Sequence, residues 1–344
     1  MNRIQRQETD IIKRVLPQKV VKLSVYTKRR IFKFFKITPT NFYLNLDVSH
    51  CGLKCALCPN GGSCVLEGPG KGFMNPTLFK RIVDKFVEEN VLVNHIEIGN
   101  WGEPLLNPAI HQIIRYAKSN PSFMQKGATV QVNTTLNHLP EPNDFLKSGV
   151  DDIRITLSGM TQEIYSRYHR GGNIEKVKSN ILKLVQLKNA AKLKNLQIKL
   201  IFLNFIYNKK DSELAEKFCR KHDIKFVSNR GRMVCVDCFI EFQEQKEKMS
   251  KVYSQFIDLQ KEKSYMTAID SNNVKFCNLR FNRITVNFDG QLFRCCGVFD
   301  KRHFLGSIFD FKIKDIPEVE SEICKICAKT PMSNGRHIVP FLGR

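Results

Sequence analysis

Apolar and polar residues alternate over residues 42–48, a period of two that predicts a strand with one buried face. Asn75-Pro76 then reads as an N-cap followed by proline at the first helical position. Beyond it, Leu78, Phe79, Ile82, Val83, Phe86 and Val87 fall on one helical stripe. Further strands are predicted near 95–99, 129–133, 152–157, 197–203 and 225–227, with helices between them at about 108–119, 142–148, 173–189 and 211–223. Six such strand–helix units imply a parallel sheet with right-handed crossovers. The alternation stops after about residue 232. A charged, helix-like stretch at about 241–264 leads to a cysteine-rich tail. There, a strand-like run over 283–287, Asp289-Gly290 and a second run ending at Cys295 read as a hairpin.

Composition narrows the class. With 344 residues, 42% of them apolar, the chain can bury a barrel-sized core, which argues against wholesale disorder. It has no uncharged apolar stretch of about 18 residues, so no transmembrane helix is expected. The N-terminus lacks a clean apolar run ending in small residues, which argues against a secretory signal and for a cytoplasmic protein. Twelve cysteines in a reducing compartment point to metal ligands rather than disulfides. The formal charge of +22 implies an anionic partner: nucleic acid, a membrane surface or a phosphorylated substrate. Residues 1–38 hold eleven basic and two acidic residues among apolar ones, the pattern of a basic arm able to lie peripherally on an anionic membrane.

Directly after the first predicted strand stand Cys51, Cys55 and Cys58, at offsets of four and three. Three thiolates in a loop leaving a strand can converge on one centre. They are one short of the four that normally hold a [4Fe–4S] cluster, which would leave one iron open. A zinc site more often uses paired C-x2-C units.

This CxxxCxxC loop after a first strand resembles the signature of the radical S-adenosylmethionine (SAM) superfamily. The resemblance implies a partial (β/α)6 TIM-like barrel whose open iron chelates SAM and whose product is a 5′-deoxyadenosyl radical. Other segments carry it further, over roughly residues 42–230. Trp101-Gly102-Glu103-Pro104 resembles the family's GGE element, which binds the SAM amino group, with Trp101 in place of its first glycine. Leu57 stands where an apolar residue packs on the adenine. Asn133-Thr134, Ser158-Gly159 and Arg170-Gly171-Gly172-Asn173 resemble the family's third-strand, fourth-strand and R-GG-N segments. The resemblance therefore implies cofactor contacts at Leu57, Gly102, Glu103, Asn133, Ser158 and Arg170. These positions lie at strand C-termini, where barrel active sites sit.

The tail is similar to the SPASM and twitch domains that follow the barrel in many such enzymes. Gly290-x4-Cys295 and Cys324-x2-Cys327 match the smaller twitch form, a small α+β unit. That resemblance implies a second [4Fe–4S] cluster on Cys277, Cys295, Cys324 and Cys327, with Cys296 as the alternative to Cys295; the same four thiolates could instead make a zinc ribbon. The implied organisation is an arm at 1–38, a barrel at 39–235, a linker and helix at 236–276, a twitch-like domain at 277–330 and a tail at 331–344. Of the remaining cysteines, Cys219 shares a helix face with Leu214, Ala215 and Phe218 and reads as core. Cys235 and Cys238 follow the sixth strand and are candidates for a hydrogen-atom donor, a redox dithiol or a cluster ligand, or serve structure alone.

The leading expectation is a radical SAM oxidoreductase. It resembles the twitch-bearing dehydrogenases that oxidise a secondary alcohol of an aminocyclitol, with the auxiliary cluster as electron acceptor. A small-molecule or lipid-linked substrate and a reductase or flavodoxin-type electron donor are implied. A peptide maturase or an epimerase is the alternative within the family. A zinc- and nucleic-acid-binding protein is the alternative outside it; the spread of Lys and Arg along the chain and the lack of a nucleic-acid motif argue against it.

Overall fold

Asn75 caps the first helix as its sequence predicts: its Oδ1 accepts the Thr77 N–H at 2.7 Å, and Pro76 begins α1 (Pro76–Glu88). Phe79, Ile82, Val83 and Phe86 form the buried stripe. Phe86 meets Phe123 edge to face at 5.4 Å, and each such side chain taken from water contributes about 2 kcal/mol. The computed structural model describes residues 41–61, 66–231, 237, 244–259, 283–319 and 321–324. The basic arm, Cys64, Cys235, Cys238, Cys277, Cys327 and the tail at 331–344 lie outside the described residues.

The strands are β1 (Asn41–Leu46), β2 (Leu92–Ile98), β3 (Met124–Thr134), β4 (Asp152–Leu157), β5 (Gln197–Asn204) and β6 (Lys225–Arg230), followed by β7 (Arg283–Val286), β8 (Gln291–Phe293) and β9 (Phe304–Ser307). Between them run α2 (Ile110–Lys118), α3 (Pro142–Lys147), α4 (Gln162–Tyr168), α5 (Ile174–Ala190), α6 (Lys209–Lys221) and α7 (Lys246–Tyr253). Among the described residues they form one sheet in the order β6-β5-β4-β3-β2-β1-β7-β8-β9. Neighbours from β6 to β7 pair in parallel, and β8 and β9 are antiparallel additions. The expected mixed α/β fold with a parallel sheet is thus present. Among the described residues no helix is long and apolar enough to cross a membrane.

The expected hairpin joins β7 to β8. Asn287 and Gly290 close it through Asn287 N–H to Gln291 O at 2.8 Å and Gly290 N–H to Asn287 O at 2.9 Å. Gly290 has φ +84°, a conformation that glycine adopts without a Cβ penalty. Pairing of β7 with β1 is long-range: Leu46 lies opposite Val286, and the Asp47 N–H continues the ladder to Val286 O at 2.9 Å.

The two faces of the sheet differ in kind. Leu44, Leu46, Ile96, Ile98, Val130, Val132, Ile153, Ile155, Leu200, Phe202 and Val286 pack with the helices in one core. Alternate positions point the other way and carry Tyr43, Asn45, His95, Glu97, Gln131, Asn133, Asp152, Arg154, Lys199, Arg283 and Thr285. A parallel sheet flanked by helices on both faces would be apolar on both; this one keeps a polar face.

Candidate active site

The polar face is organised around Glu97. Its Oε2 accepts from Arg283 Nη1 at 3.0 Å and Asn45 Nδ2 at 3.2 Å; its Oε1 accepts from Asn133 Nδ2 at 3.0 Å and Gln131 Nε2 at 3.2 Å. Next to it, Asp152 Oδ2 accepts from Arg154 Nε at 2.9 Å and Lys199 Nζ at 2.8 Å. Arg283 and Glu97 are both buried, so each charge is held by the other. Three cations against two carboxylates leave this face net positive.

At the C-terminal end of β1 the chain enters the cysteine loop. Asp47 Oδ1 accepts three consecutive backbone N–H groups from the loop after β2: Asn100 and Trp101 at 2.8 Å and Gly102 at 3.1 Å. Burial pushes the Asp47 carboxyl up to about 6 against the pull of those three donors. Gly102 must be glycine here, because a Cβ would stand 1.8 Å from the Ser49 carbonyl oxygen. Ser49 Oγ donates to Glu103 O at 2.6 Å, and Glu103 N–H donates to His50 O at 3.1 Å. The two loops are thereby bound side by side.

Cys51, Cys55 and Cys58 line one apolar cluster with Leu53, Ala56, Leu57 and Trp101. Lys54 N–H donates to Arg170 O at 3.0 Å and Ala56 N–H to Tyr168 O at 2.8 Å, which seats the loop on the last residue of α4 and the segment after it. Burial raises the Cys51 thiol to about 11, and burial beside the other two thiols raises Cys55 well above the ordinary range. Among the described residues no group of three or more His, Cys, Asp or Glu could hold a single metal ion. The donor set, three thiols and no histidine or carboxylate, fits an iron–sulfur cluster with three protein ligands, whose iron would supply the positive charge that thiolates need here.

The other expected cofactor residues are placed as follows. Leu57 is fully buried beside the cysteines. The Glu103 carboxylate is turned to the end of β3, accepting from Thr134 Oγ1 at 2.6 Å, Thr135 Oγ1 at 2.7 Å and Thr135 N–H at 2.8 Å. Burial raises its proton affinity and those bonds oppose the rise. Asn133 is tied to Glu97 and to Gly99 O. Ser158 is buried and bonded to His169 Nδ1 at 2.7 Å. Burial pushes His169 down to about 3, so the ring is neutral. Arg170 is exposed. Sequence reasoning missed Asp47, His169 and the Glu97 row. The signal available for the row was the recurrence of polar residues at every second position of otherwise apolar strands.

In the C-terminal segment, Cys295 and Cys296 are both half-buried. Gly297 N–H donates to Cys295 Sγ at 3.4 Å, and the Cys296 carbonyl accepts from Asn100 Nδ2 at 3.0 Å. Arg294 holds the carbonyls of Ile316 and Pro317 at 2.9 and 3.4 Å, a few residues before half-buried Cys324. Cys219 is fully buried among core residues as expected, and burial raises its thiol to about 12.

Residues 47–216 match the family model described as the Radical SAM superfamily. The chain carries a radical SAM domain and is an enzyme; members of that superfamily use SAM and a [4Fe–4S] cluster. Among individual proteins, it is 26% identical over 259 residues to a probable GTP 3′,8-cyclase of Methanococcus maripaludis, covering 71% of this chain and 81% of that one. In fold it is similar to SuiB of Streptococcus suis bound to precursor peptide SuiA, with a TM-score of 0.55 at 10% identity over 92% of this chain and 77% of that one. It is also similar to native anSMEcpe with bound AdoMet, with a TM-score of 0.51 at 13% identity over 82% and 81% of the two chains.

Proposed function

We propose that this enzyme oxidises a hydroxyl-bearing, carbohydrate-like small molecule on a partial (β/α)6 barrel. Cys51, Cys55 and Cys58 would hold the SAM-binding cluster, with Leu57, Gly102, Glu103, Asn133, Ser158 and Arg170 around SAM. Cys277, Cys295, Cys324 and Cys327, in a twitch-type unit, would hold a second cluster. Together the bound groups supply a 5′-deoxyadenosyl radical for hydrogen-atom abstraction and an acceptor for the remaining electron. The carrying observation is the polar sheet face, where the buried Asn45 Oδ1, Gln131 Oε1, Asp152 Oδ1 and Thr285 Oγ1 have no hydrogen-bond partner among the described residues. A peptide would need an open apolar or backbone-pairing groove instead.

The chain's own residues prepare that space. Asp47 fixes the Gly102-Glu103 loop against the cysteine loop. Burial of Glu97 against Arg283 keeps the interior polar without an unpaired charge. A nucleotide-like substrate is the second reading, favoured by the 26% identity to a probable GTP 3′,8-cyclase and by the excess of cations on the same face.

The test is anaerobic incubation of the iron-reconstituted enzyme with SAM, a reductase or flavodoxin-type donor and cell extract, and separately with GTP. Oxidation gives a SAM-dependent product about two mass units lighter than its precursor. A product one unit heavier in deuterated water overturns oxidation in favour of epimerisation, for which Cys235 or Cys238 would be the donor to replace. Consumption of GTP would favour the nucleotide reading.

A further inference from the structure

Trp101 occupies the position where the family resemblance expects glycine, and it is the chain's one tryptophan. Its backbone does what a glycine could do: the N–H bonds Asp47 Oδ1 at 2.8 Å, and the carbonyl accepts from Asn60 Nδ2 at 2.6 Å, just past Cys58. Its side chain does what a glycine could not. The indole Nε1–H donates to Val298 O at 2.8 Å, and the ring meets Phe299 edge to face at 5.4 Å. Its neighbour Asn100 donates to the carbonyl of Cys296 at 3.0 Å. The indole is 7% exposed, so the bond to Val298 is shielded from water.

Two adjacent residues of one loop thus grip two backbone carbonyls and one ring of the segment after Cys295, nearly 200 positions further along the chain. Asp47 and Asn60 hold the same loop to both ends of the cysteine loop. We propose that Trp101, assisted by Asn100, is a positioning latch that sets the placement of Cys295 and Cys296 relative to Cys51, Cys55 and Cys58. The indole reads the position of one cysteine segment and transmits it to the other through its own peptide group. The latch does not depend on what the C-terminal cysteines bind, and its failure would leave the proposed reaction standing.

Thiol alkylation tests it in the full-length protein purified without iron reconstitution, with N-ethylmaleimide as probe and site-by-site readout by mass spectrometry. Trp101→Phe keeps a ring against Phe299 but removes the donor to Val298. It should speed alkylation of Cys295 and Cys296 about tenfold, the worth of one net hydrogen bond, with Cys219 unchanged. Asn100→Ala should act in the same direction, and Trp101→Gly more strongly than Trp101→Phe. If Trp101→Gly does not fold, the other two variants decide. Unchanged rates at Cys295 and Cys296 would overturn the latch. So would an equal rise at Cys219, which reports general loosening, or a rise confined to Cys51, Cys55 and Cys58.

Discussion

Asp47 and His169 are buried titratable groups whose effects on stability oppose each other, and separating them gives a quantitative test of the site's packing. Burial raises Asp47 from an ordinary 3.8 to about 6. Between those values the folded chain holds a proton that the unfolded chain releases, so stability falls as pH rises. At about 1.4 kcal/mol per pH unit the loss reaches about 3 kcal/mol by pH 6. His169 is lowered by burial from 6.5 to about 3. Here the unfolded chain holds the extra proton, so stability is present in full above 6.5 and is lost as pH falls, by about 5 kcal/mol at pH 3. From pH 4 to 6 the two slopes nearly cancel in the wild type. Asp47→Asn leaves the His169 slope uncompensated, so that variant should gain about 3 kcal/mol relative to wild type over this interval. His169→Asn, which keeps a hydrogen-bonding group for Ser158, should lose about as much over the same interval. Melting temperatures at half-unit pH steps read this directly, at roughly 2–4 °C per kcal/mol. Titrating groups common to all three proteins drop out of the differences. Parallel curves for wild type and both variants would refute the burial of these two groups as described.

Three other outcomes are expected. Replacing Cys51, Cys55 and Cys58 together by Ala should abolish SAM cleavage and reduce bound iron; cleavage that survives would refute the assignment of the first cluster. Arg283→Met leaves Glu97 buried without its cation and should cost roughly 3–5 kcal/mol in chemical denaturation, part of which Glu97→Gln in the same chain should restore; additive losses would refute the pairing. Residues 1–38 carry a net charge of +9, and about 1 kcal/mol per basic residue at an acidic surface should bring the protein down with anionic but not neutral liposomes at low salt; equal sedimentation with both would refute membrane binding by the arm.

What the sequence conveyed depended on the range of the interaction. Strand β4 was legible to the residue at 152–157, because strict alternation needs only local sterics and one buried face. β2 was expected from 95 but begins at Leu92: the pairing register shifts between Val93 and His95, and the alternation breaks with it. Helix α4 went unseen, since two turns carry too few periods to stand out, although Thr161 supplies its N-cap. The grouping of the three cysteines was legible from their spacing, and they do line one apolar cluster. Asp47 was not: as the polar member after an alternating strand it looked like one more exposed position, and its role exists only once the loop after β2 is folded over it. The Ser158–His169 contact was missed for the same reason, because a hydrogen bond between a strand end and a helix end has no sequence period.

The pairing of β1 with β7 has a consequence for how the protein is made. β1 lies between β2 and β7, and the Asp47 N–H that leads into the cysteine loop is anchored on Val286. On a ribosome the chain emerges from its N-terminus, so the strand that feeds the cysteines is among the first described elements available, yet it gains its second neighbour only after β2 to β6 have all been made. Until residue 286 has left the exit tunnel, that strand presents an open edge of unpaired backbone groups, the kind of surface that pairs wrongly or recruits chaperones. Contacts this distant in sequence also close slowly. If the loop holds iron as proposed, its insertion is best timed after β7 has been made, and a chain that stalls before β7 would leave its cysteines beside an unpaired strand.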